Sequence, residues 1–200
     1  FVHTAGLRVV AVSNPEDAYG MLRQAIAADD PVVFFEPKRL YQVKGEVDLV
    51  RSLADARPMG LAQVVRPGAD VTLVTYGALV RTALDAAIAA ADEGISIEVI
   101  DLRSISPIDY PTLVASVQKT GRLVVTHEAA REAGVAAEVI ASIVELCFDD
   151  LRAAPVRITG HDLPYPPAKL EQHFLPDLDR ILDGVDRALG RPNSLTGMES

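Results

Sequence analysis

Four apolar segments of the sequence end in polar or glycine residues whose types could do chemistry. These endings are Tyr76-Gly77, Asp101-Leu102-Arg103, His127-Glu128 and Gly160-His161-Asp162. If the apolar segments are parallel strands, the endings lie together along the carboxyl edge of one sheet, where open α/β proteins bind ligands. A histidine beside a glutamate can transfer protons or orient a polar ligand. The spacing therefore predicts a site at this edge, with His127 as the candidate for direct catalysis.

The motifs that would assign a reaction to these residues are absent from the sequence. A zinc peptidase needs a second histidine one helical turn after the His-Glu pair, and Arg131 stands there. There is no nucleophile elbow and no Walker loop, and Gly77 alone cannot form the three-glycine dinucleotide fingerprint. We therefore favour an interface or structural role for His127 and Glu128, in which they cap the following helix or pair across a subunit contact.

Asp101 and Arg103 end the strand before His127 and are spaced two residues apart. At that spacing both side chains point to one face of the sheet. An ion pair between them would hold the loop after the strand, and we favour this structural interpretation over contact with a substrate.

The composition excludes several classes of function. The 200 residues carry 19 basic and 28 acidic side chains, and the net charge of −9 disfavours binding to nucleic acid or to an anionic membrane surface. No apolar run approaches the roughly 20 residues that cross a bilayer. We expect a globular, cytoplasmic protein. Cys147, the one cysteine, lies in an apolar helical row, which predicts a core position and excludes a disulfide within the chain.

The first 45 residues predict a strand, a helix and a second strand. Residues 8–12 are apolar, Asn14 and Pro15 suit a helix start, and PVVFFEP gives the second strand. Strands that are apolar on both faces need cover on both faces, and one helix covers only one. We therefore expect the strand residues of this unit to be incompletely covered. They are Val9, Val10, Val12, Val32, Val33 and Phe34.

The other residues predict a second unit after a linker at 46–60, which gathers charge, glycine and proline. A hairpin with an antiparallel edge strand is expected around Arg66-Pro67-Gly68-Ala69. Strands and helices then alternate as far as Leu189, which predicts parallel strands with right-handed helical crossovers. The expected fold is a three-layer α/β/α domain over residues 61–190 with a mostly parallel sheet, followed by a flexible tail at 191–200.

Several segments, taken in order, resemble one enzyme family. They are HTAGLRVVAVSNPEDAYGMLRQAIAADDPVVFFEPKRLY, DVTLVTYG, EVIDLRSISPID, KTGRLVVTHEA and GHDLPYP, with FLPD before the last helix. From His3 to Leu189 the chain is similar to the beta subunit of the thiamine-diphosphate-dependent decarboxylating component of 2-oxoacid dehydrogenase complexes. The resemblance implies that residues 1–45 are the end of a pyrimidine-binding domain and that residues 61–190 are a transketolase C-terminal-like domain.

The resemblance also implies an activity and its cofactors. The activity is oxidative decarboxylation of a 2-oxoacid, with branched-chain substrates favoured over pyruvate, and acyl transfer to lipoyl groups. Family members use thiamine diphosphate with magnesium, and their catalytic glutamate and histidine lie upstream of the segment that matches His3. We therefore expect no catalytic residue in this segment, which would be inactive by itself.

The implied partners are an alpha subunit, a second beta subunit and a lipoyl acyltransferase core, arranged as a heterotetramer within a multienzyme complex. This segment would provide subunit assembly and core docking. Two alternatives stay open. One is a non-catalytic interaction module of the same fold, and the other is a single-chain transketolase-type enzyme such as a deoxyxylulose-phosphate synthase.

Two local details depend on the resemblance. Branched-chain members bind potassium at the end of the helix before PVVFFEP, where carbonyl oxygens suit a hard cation. The matching positions are Ala25, Ala28 and Asp30, and some relatives carry an acidic residue where this chain has Ala28. Relatives also commonly carry paired glycines where this chain has Glu132-Ala133-Gly134, so a different turn is expected before the following helix.

Overall fold

The computed structural model describes residues 1–51 and 55–191, which form two β-sheets and the helices that cover them. The strands are β1 (Arg8–Ala11), β2 (Val32–Phe35), β3 (Gln63–Arg66), β4 (Val71–Thr75), β5 (Ile97–Asp101), β6 (Ser104–Ser106), β7 (Leu123–His127) and β8 (Val156–Thr159). The α-helices are α1 (Pro15–Ala27), α2 (Leu79–Asp92), α3 (Tyr110–Thr120), α4 (Val135–Cys147), α5 (Glu171–Phe174) and α6 (Leu178–Leu189). Short 3₁₀ turns are formed by Lys38–Leu40, Phe148–Asp150 and Ala168–Leu170.

The larger sheet has the strand order β3-β5-β4-β7-β8. Strands β4, β5, β7 and β8 are parallel, and β3 runs antiparallel to β5 at the edge. Helices α2 and α6 cover one face, and α3 and α4 cover the other. The predicted three-layer α/β/α arrangement is therefore confirmed. It forms because each amphipathic helix buries its apolar face against a sheet that is apolar on both sides.

The predicted hairpin at residues 66–69 is wrong. Strand β3 pairs with β5 and not with β4, because β4 is central and already has β5 and β7 as parallel neighbours. The turn passes so close to the start of β5 that a side chain on Gly68 would overlap the backbone of Ile97 and Glu98. The antiparallel edge strand was predicted correctly, but it pairs with β5 and not with the next strand in the sequence, β4.

Local capping signals mark the ends of α3 and α6. The side chains of Asp109 and Asp177 accept hydrogen bonds from backbone N–H groups in the first turns of α3 and α6, and Gly121 ends α3 in the left-handed conformation. Helix α6 begins at Leu178, because Asp177 is its N-cap.

The smaller sheet joins the two predicted units. Its strand order is β2-β1-β6, and β6, which follows β5, pairs antiparallel with β1. Ile105 of β6 covers one face of β1, and Met59 of the connection covers the other. Val9, Val10 and Val12 are therefore buried, and the prediction that they are incompletely covered is wrong. The outer strand β2 is half-buried over its first three residues, as expected.

The described residues between the 3₁₀ turn after β2 and the start of β3, 41–51 and 55–62, contain no helix or strand. Of the predicted tail at 191–200, only Arg191 lies within the described residues. No helix in the described part of the chain has both the length and the apolar character needed to cross a membrane.

Candidate functional site

The carboxyl edge of the larger sheet contains a cleft of about 870 Å³. It lies where β4 leads into α2 on one face and the neighbouring strand β7 leads into α4 on the other. Such a change of side opens a crevice between strand ends, which is the usual place for a ligand in an open α/β sheet. Tyr76 and Gly77 line the cleft from β4, Glu128 and Gly134 line it from the segment between β7 and α4, and Phe35 closes it from the smaller sheet.

The cleft offers mainly apolar surface with acidic groups in its wall. Glu36, Glu128 and Glu138 contribute the carboxylates. Burial raises the pKa of the Tyr76 phenol to about 12, so this hydroxyl keeps its proton at neutral pH. The lining of the cleft therefore combines apolar surface with three carboxylates and a protonated phenol.

His127 lies at the end of β7 and is fully buried. Its Nδ1 donates to the carbonyl oxygen of Ala129 at 3.2 Å, which leaves Nε2 as an acceptor with no partner among the described residues. Gly134 covers this nitrogen, since a Cβ at position 134 would lie 2.7 Å from Nε2. Burial lowers the pKa of the His127 ring and so favours its neutral form. A sealed and neutral ring supports a structural role for His127 over direct catalysis.

Glu128 forms an ion pair with Arg39 at the rim of the same cleft. Arg39 belongs to the 3₁₀ turn after β2, so the pair joins the smaller sheet to the end of β7. Both side chains are more than a third exposed, and such pairs contribute no more than about 1 kcal/mol. Glu128 therefore has a partner within the chain.

The described residues form a different ion pair from the predicted one between Asp101 and Arg103. The Arg103 guanidinium contacts Asp17 on α1, with Nη2 2.8 Å from Oδ1. Asp101 accepts the backbone N–H of Arg103 at 2.9 Å and the hydroxyl of Ser13 at 2.5 Å. The backbone of Arg103 has a φ of 56°, in the left-handed region, and this breaks the alternation on which the prediction depended.

The ending after β8, Gly160-His161-Asp162, forms hydrogen bonds to the segment between β7 and α4. Asp162 accepts the backbone N–H of Glu132 at 2.9 Å, and the N–H of Gly160 donates to the carbonyl of Ala129 at 3.0 Å. The four polar endings thus lie at the carboxyl ends of neighbouring strands, as their spacing predicts. Their polar groups hold loops and join the two sheets.

The residues expected to bind potassium follow the end of α1. The carbonyl of Ala25 accepts the N–H of Ala28 at 3.4 Å, and the Asp30 carboxylate accepts Nε of Arg8 at 3.0 Å and Nη2 at 2.9 Å. A guanidinium on Asp30 neutralises the carboxylate that the site would offer to a cation. The arrangement fits a bound potassium ion poorly. The part of the chain that the structure describes also holds no cluster of three or more acidic, histidine or cysteine side chains that could bind a metal.

Two residues that matter at this edge were not identified from the sequence. Ser13 and Asp17 flank the helix start at Asn14, and this local capping role gives no sign of their contacts with Asp101 and Arg103. Ala133 has a φ of 53°, which costs a residue with a side chain about 1–2 kcal/mol. The departure at Glu132-Ala133-Gly134 that the resemblance implies was the sequence signal for a turn at this place.

Two known protein families match the chain. Residues 60–181 match "Transketolase, C-terminal domain", and residues 1–44 match "Transketolase, pyrimidine binding domain". The chain belongs to the transketolase C-terminal domain family. The match includes all five strands of the larger sheet, and it confirms the predicted fold class.

Curated relatives of this transketolase-type chain include beta subunits of two dehydrogenases. Pyruvate dehydrogenase E1 component subunit beta of Leifsonia xyli subsp. xyli is 53% identical over 189 residues, which make up 94% of this chain and 55% of that protein. The 3-methyl-2-oxobutanoate dehydrogenase subunit beta of Mycobacterium tuberculosis is 52% identical over 193 residues, 96% of this chain and 55% of that protein. The chain spans about half the length of the curated relatives it matches.

A solved structure is also similar to this transketolase-type chain. It is described as "Split gene transketolase, inactive beta4 tetramer", with a TM-score of 0.72 and 25% identity. The similarity covers 92% of this chain and 58% of that one. The family match and the structural neighbour therefore agree on the fold.

Proposed function

We propose that this chain is the carboxyl-side part of the beta subunit of a 2-oxoacid dehydrogenase decarboxylating component, and that it serves assembly and not bond breaking. The observation that carries the proposal is an identity of 53% and 52% to two beta subunits over nearly the whole chain. The geometry supports it, because the polar groups at the carboxyl edge hold loops together and the His127 ring is sealed from solvent.

In this proposal the two units have different tasks. Residues 1–45 form the end of the pyrimidine-binding domain, residues 46–60 link it to the next unit, and residues 61–190 form the transketolase C-terminal-like domain. The shared smaller sheet supports this division of labour, because β6 of the second unit completes the sheet of the first. The C-terminal-like domain would thereby fix the position of the pyrimidine-binding part.

The proposal includes thiamine diphosphate with magnesium as the cofactor of the assembled enzyme. Thiamine diphosphate supplies the decarboxylation chemistry when it is bound. The described residues contain no acidic cluster for its magnesium ion, so the proposal assigns no cofactor ligand to this chain. In this proposal the residues of this chain have a structural role, which is to hold β1 and β2 against the larger sheet.

The proposed partners are an alpha subunit, a second beta subunit and the lipoyl acyltransferase core, which would dock on this chain. Large apolar side chains are exposed on three separate parts of the surface. Ile26 of α1 is 78% exposed, Phe148 after α4 is 67% exposed, and Leu163 in the segment after β8 is 66% exposed. Single exposed apolar side chains are common on protein surfaces, so the support for these partners comes from the relatives that are named beta subunits.

We propose a branched-chain 2-oxoacid as the substrate, with pyruvate as the second candidate. The relative from Mycobacterium tuberculosis supports the first and the relative from Leifsonia xyli supports the second. Their identities differ by one percentage point, so a direct comparison of the two substrates in the assembled enzyme is the measurement that separates them.

We propose that potassium, if it binds this chain, is coordinated by main-chain carbonyl oxygens near Ala25 and Ala28. The Asp30 carboxylate is not assigned as a ligand, because it is paired with Arg8. Thermal unfolding in potassium chloride and in sodium chloride at equal ionic strength tests this idea. A ligand that binds the folded state raises the melting temperature, so equal temperatures in the two salts would remove potassium from the proposal.

A non-catalytic interaction module is the second candidate function. The similar solved structure favours it, since it is described as an inactive assembly of beta chains. A single-chain transketolase-type enzyme, such as a deoxyxylulose-phosphate synthase, is less well supported because the curated relatives named above are separate beta subunits.

Coexpression with an alpha subunit from the same genome tests the proposed function. We expect the two chains to purify together, and we expect this chain alone, with thiamine diphosphate and magnesium, to release no carbon dioxide from either candidate substrate. Decarboxylation by the chain alone would overturn the assembly role. Failure to bind any alpha subunit would favour the interaction module.

A further inference from the structure

A closed ring of hydrogen bonds crosses the junction between the smaller and the larger sheet. Asn14 Nδ2 donates to Ser13 Oγ at 3.1 Å and to Asp17 Oδ2 at 2.8 Å. Ser13 Oγ lies 2.5 Å from Asp101 Oδ2. The backbone N–H of Arg103 donates to Asp101 Oδ1 and its Nε donates to Asp17 Oδ1, both at 2.9 Å. These five residues, the junction ring, connect the end of β5 to the start of α1.

We propose that the junction ring is a proton-operated lock, which holds β1 and α1 to the larger sheet most tightly when Asp101 carries a proton. This inference concerns the 200-residue chain itself and is independent of the proposed function. The test of the lock can therefore fail while the proposed function stands. The proposed function can likewise fail while the lock stands.

The charges of the junction ring do not balance when both of its carboxylates are ionised. Asp101 is 0% exposed, Arg103 is 2% exposed and Asp17 is 7% exposed, so water screens none of them well. Arg103 supplies one positive charge, and its guanidinium pairs with Asp17. An ionised Asp101 would therefore be a second buried negative charge without an ion-pair partner of its own. Burial raises the pKa of Asp101 to about 7, although hydrogen bonds from Ser13 and Arg103 act in the opposite direction.

The groups around Asp101 are compatible with both of its protonation states. Asp17 faces it from α1 and disfavours its ionisation, while Arg103 in its own loop favours it. The hydroxyl of Ser13 can donate to a carboxylate or accept from a carboxylic acid. Thr75 is paired with Asp101 in register on β4, and its hydroxyl has no partner among the described residues. The polar cleft that Asp17 and Arg103 line is also lined by the charged residues Glu16, Arg51, Asp55 and Arg57.

The lock acts on β1 because a backbone hydrogen bond crosses the junction beside it. The N–H of Ala11 donates to the carbonyl of Arg103 at 2.9 Å. Arg103 keeps its left-handed backbone, which persists only where surrounding contacts hold it. Those contacts include its guanidinium, which donates to the carbonyls of Pro58 at 3.0 Å and Leu61 at 2.6 Å. Loosening the junction ring should therefore expose the amide of Ala11 to exchange.

The direction of the pH effect follows from the raised pKa. Folding favours protonated Asp101, because its pKa rises from an ordinary 3.8 to about 7 in the folded chain. The stabilisation is complete below about pH 4 and is lost as the pH rises through about 7. Between these values this one group lowers the folding equilibrium constant by up to about tenfold for each unit of pH.

Carbon NMR of the chain with labelled aspartate carboxyl groups tests the proton state without any substitution. We expect one carboxyl to titrate near pH 7 and its signal to be missing from Asp101→Asn, while ordinary aspartates titrate near about pH 4. If every aspartate titrates in the ordinary range, Asp101 carries no proton at neutral pH and the lock is excluded.

Hydrogen exchange at the Ala11 amide tests whether the proton operates the junction. We expect the protection factor of Ala11 to fall by about tenfold between about pH 6 and 8. The fall should disappear in Asp101→Asn and persist in Asp92→Asn, a matched control on the exposed end of α2. A constant protection factor in the unsubstituted chain, or the same fall in Asp101→Asn, would show that the proton and the junction are not coupled. The unsubstituted chain decides the outcome if Asp101→Asn does not fold.

Discussion

Arg103 and Asp17 form an ion pair at 2.8 Å between side chains that are only 2% and 9% exposed. Arg103 follows β5 and Asp17 lies in the first turn of α1, so the pair joins the two predicted units. The same guanidinium donates to the carbonyls of Pro58 and Leu61 in the connection. One buried side chain therefore holds three segments of the chain together.

Replacing Arg103 with alanine would leave Asp17 buried without its partner. Removing one member of a buried ion pair costs about 3–5 kcal/mol, and we expect Arg103→Ala to lower the free energy of unfolding by this amount in urea at pH 7. Arg81→Ala is the matched control, because it breaks the exposed pair with Asp85 and should leave the free energy almost unchanged. A cost of less than about 1 kcal/mol for Arg103→Ala would contradict the role assigned to the pair.

Gly134 is required because the His127 ring leaves no room for a side chain. The backbone at Gly134 has an ordinary φ of −77°, but a Cβ would lie 2.6 Å from the Ala130 carbonyl oxygen and 2.7 Å from His127 Nε2. We expect Gly134→Ala to destabilise the chain by about 1–3 kcal/mol in urea unfolding. Gly20→Ala in α1 meets no atom within 4 Å and should stabilise by about 0.5–1 kcal/mol. A stabilising Gly134→Ala would show that the ring can move aside.

Ala133 stores strain in the turn before α4. Its φ of 53° is left-handed, and glycine adopts this conformation without a steric penalty. We expect Ala133→Gly to raise the free energy of unfolding by about 0.5–1 kcal/mol. Ala141→Gly, at an exposed position within α4, should lower it by about 1 kcal/mol. The prediction fails if thermal unfolding shows the same destabilisation for both changes.

We expect acid to destabilise the folded chain by protonating the buried ring of His127. Folding favours the neutral ring because burial lowers its pKa below the ordinary 6.5, so its contribution is complete above that pH and is lost as the pH falls through the lowered pKa. We expect His127→Gln to lose less stability than the unsubstituted chain between about pH 7 and 5. His3→Gln, at an exposed position, is the control. An unchanged acid dependence in His127→Gln would contradict the assignment.

Asp101 acts in the opposite direction over part of the same pH range, because its pKa is raised and not lowered. The effect of His127 is therefore measured as the difference in free energy of unfolding between each variant and the unsubstituted chain at the same pH. This comparison removes the contribution of Asp101, which the variants share.

Much of the larger unit could be predicted from local patterns. Alternating strands and helices imply a parallel sheet, and Asp109, Gly121 and Asp177 mark helix ends by chemistry that acts within one turn. The pairing of β3 could not be predicted in the same way. It depends on which strand becomes central, and this is decided by contacts between residues far apart in the sequence.

The location of the site was easier to predict than its contacts. Strand ends at one sheet edge follow from topology, so His127 and Asp101 lie at the edge where they were expected. The partners of these residues depend on backbone geometry that the sequence pattern does not reveal. The left-handed backbone of Arg103 turns its guanidinium to Asp17, and the bare backbone of Gly134 seals His127.

The sharpest test of the proposed function is the decarboxylation rate of a chimeric enzyme. In the chimera this chain replaces the matching 193 residues of the Mycobacterium tuberculosis 3-methyl-2-oxobutanoate dehydrogenase subunit beta, coexpressed with the alpha subunit of that enzyme. We predict that the chimera assembles and releases carbon dioxide from 3-methyl-2-oxobutanoate at a rate comparable to that of the original enzyme. A chimera that assembles with the alpha subunit and binds thiamine diphosphate but releases no carbon dioxide would contradict the proposed function.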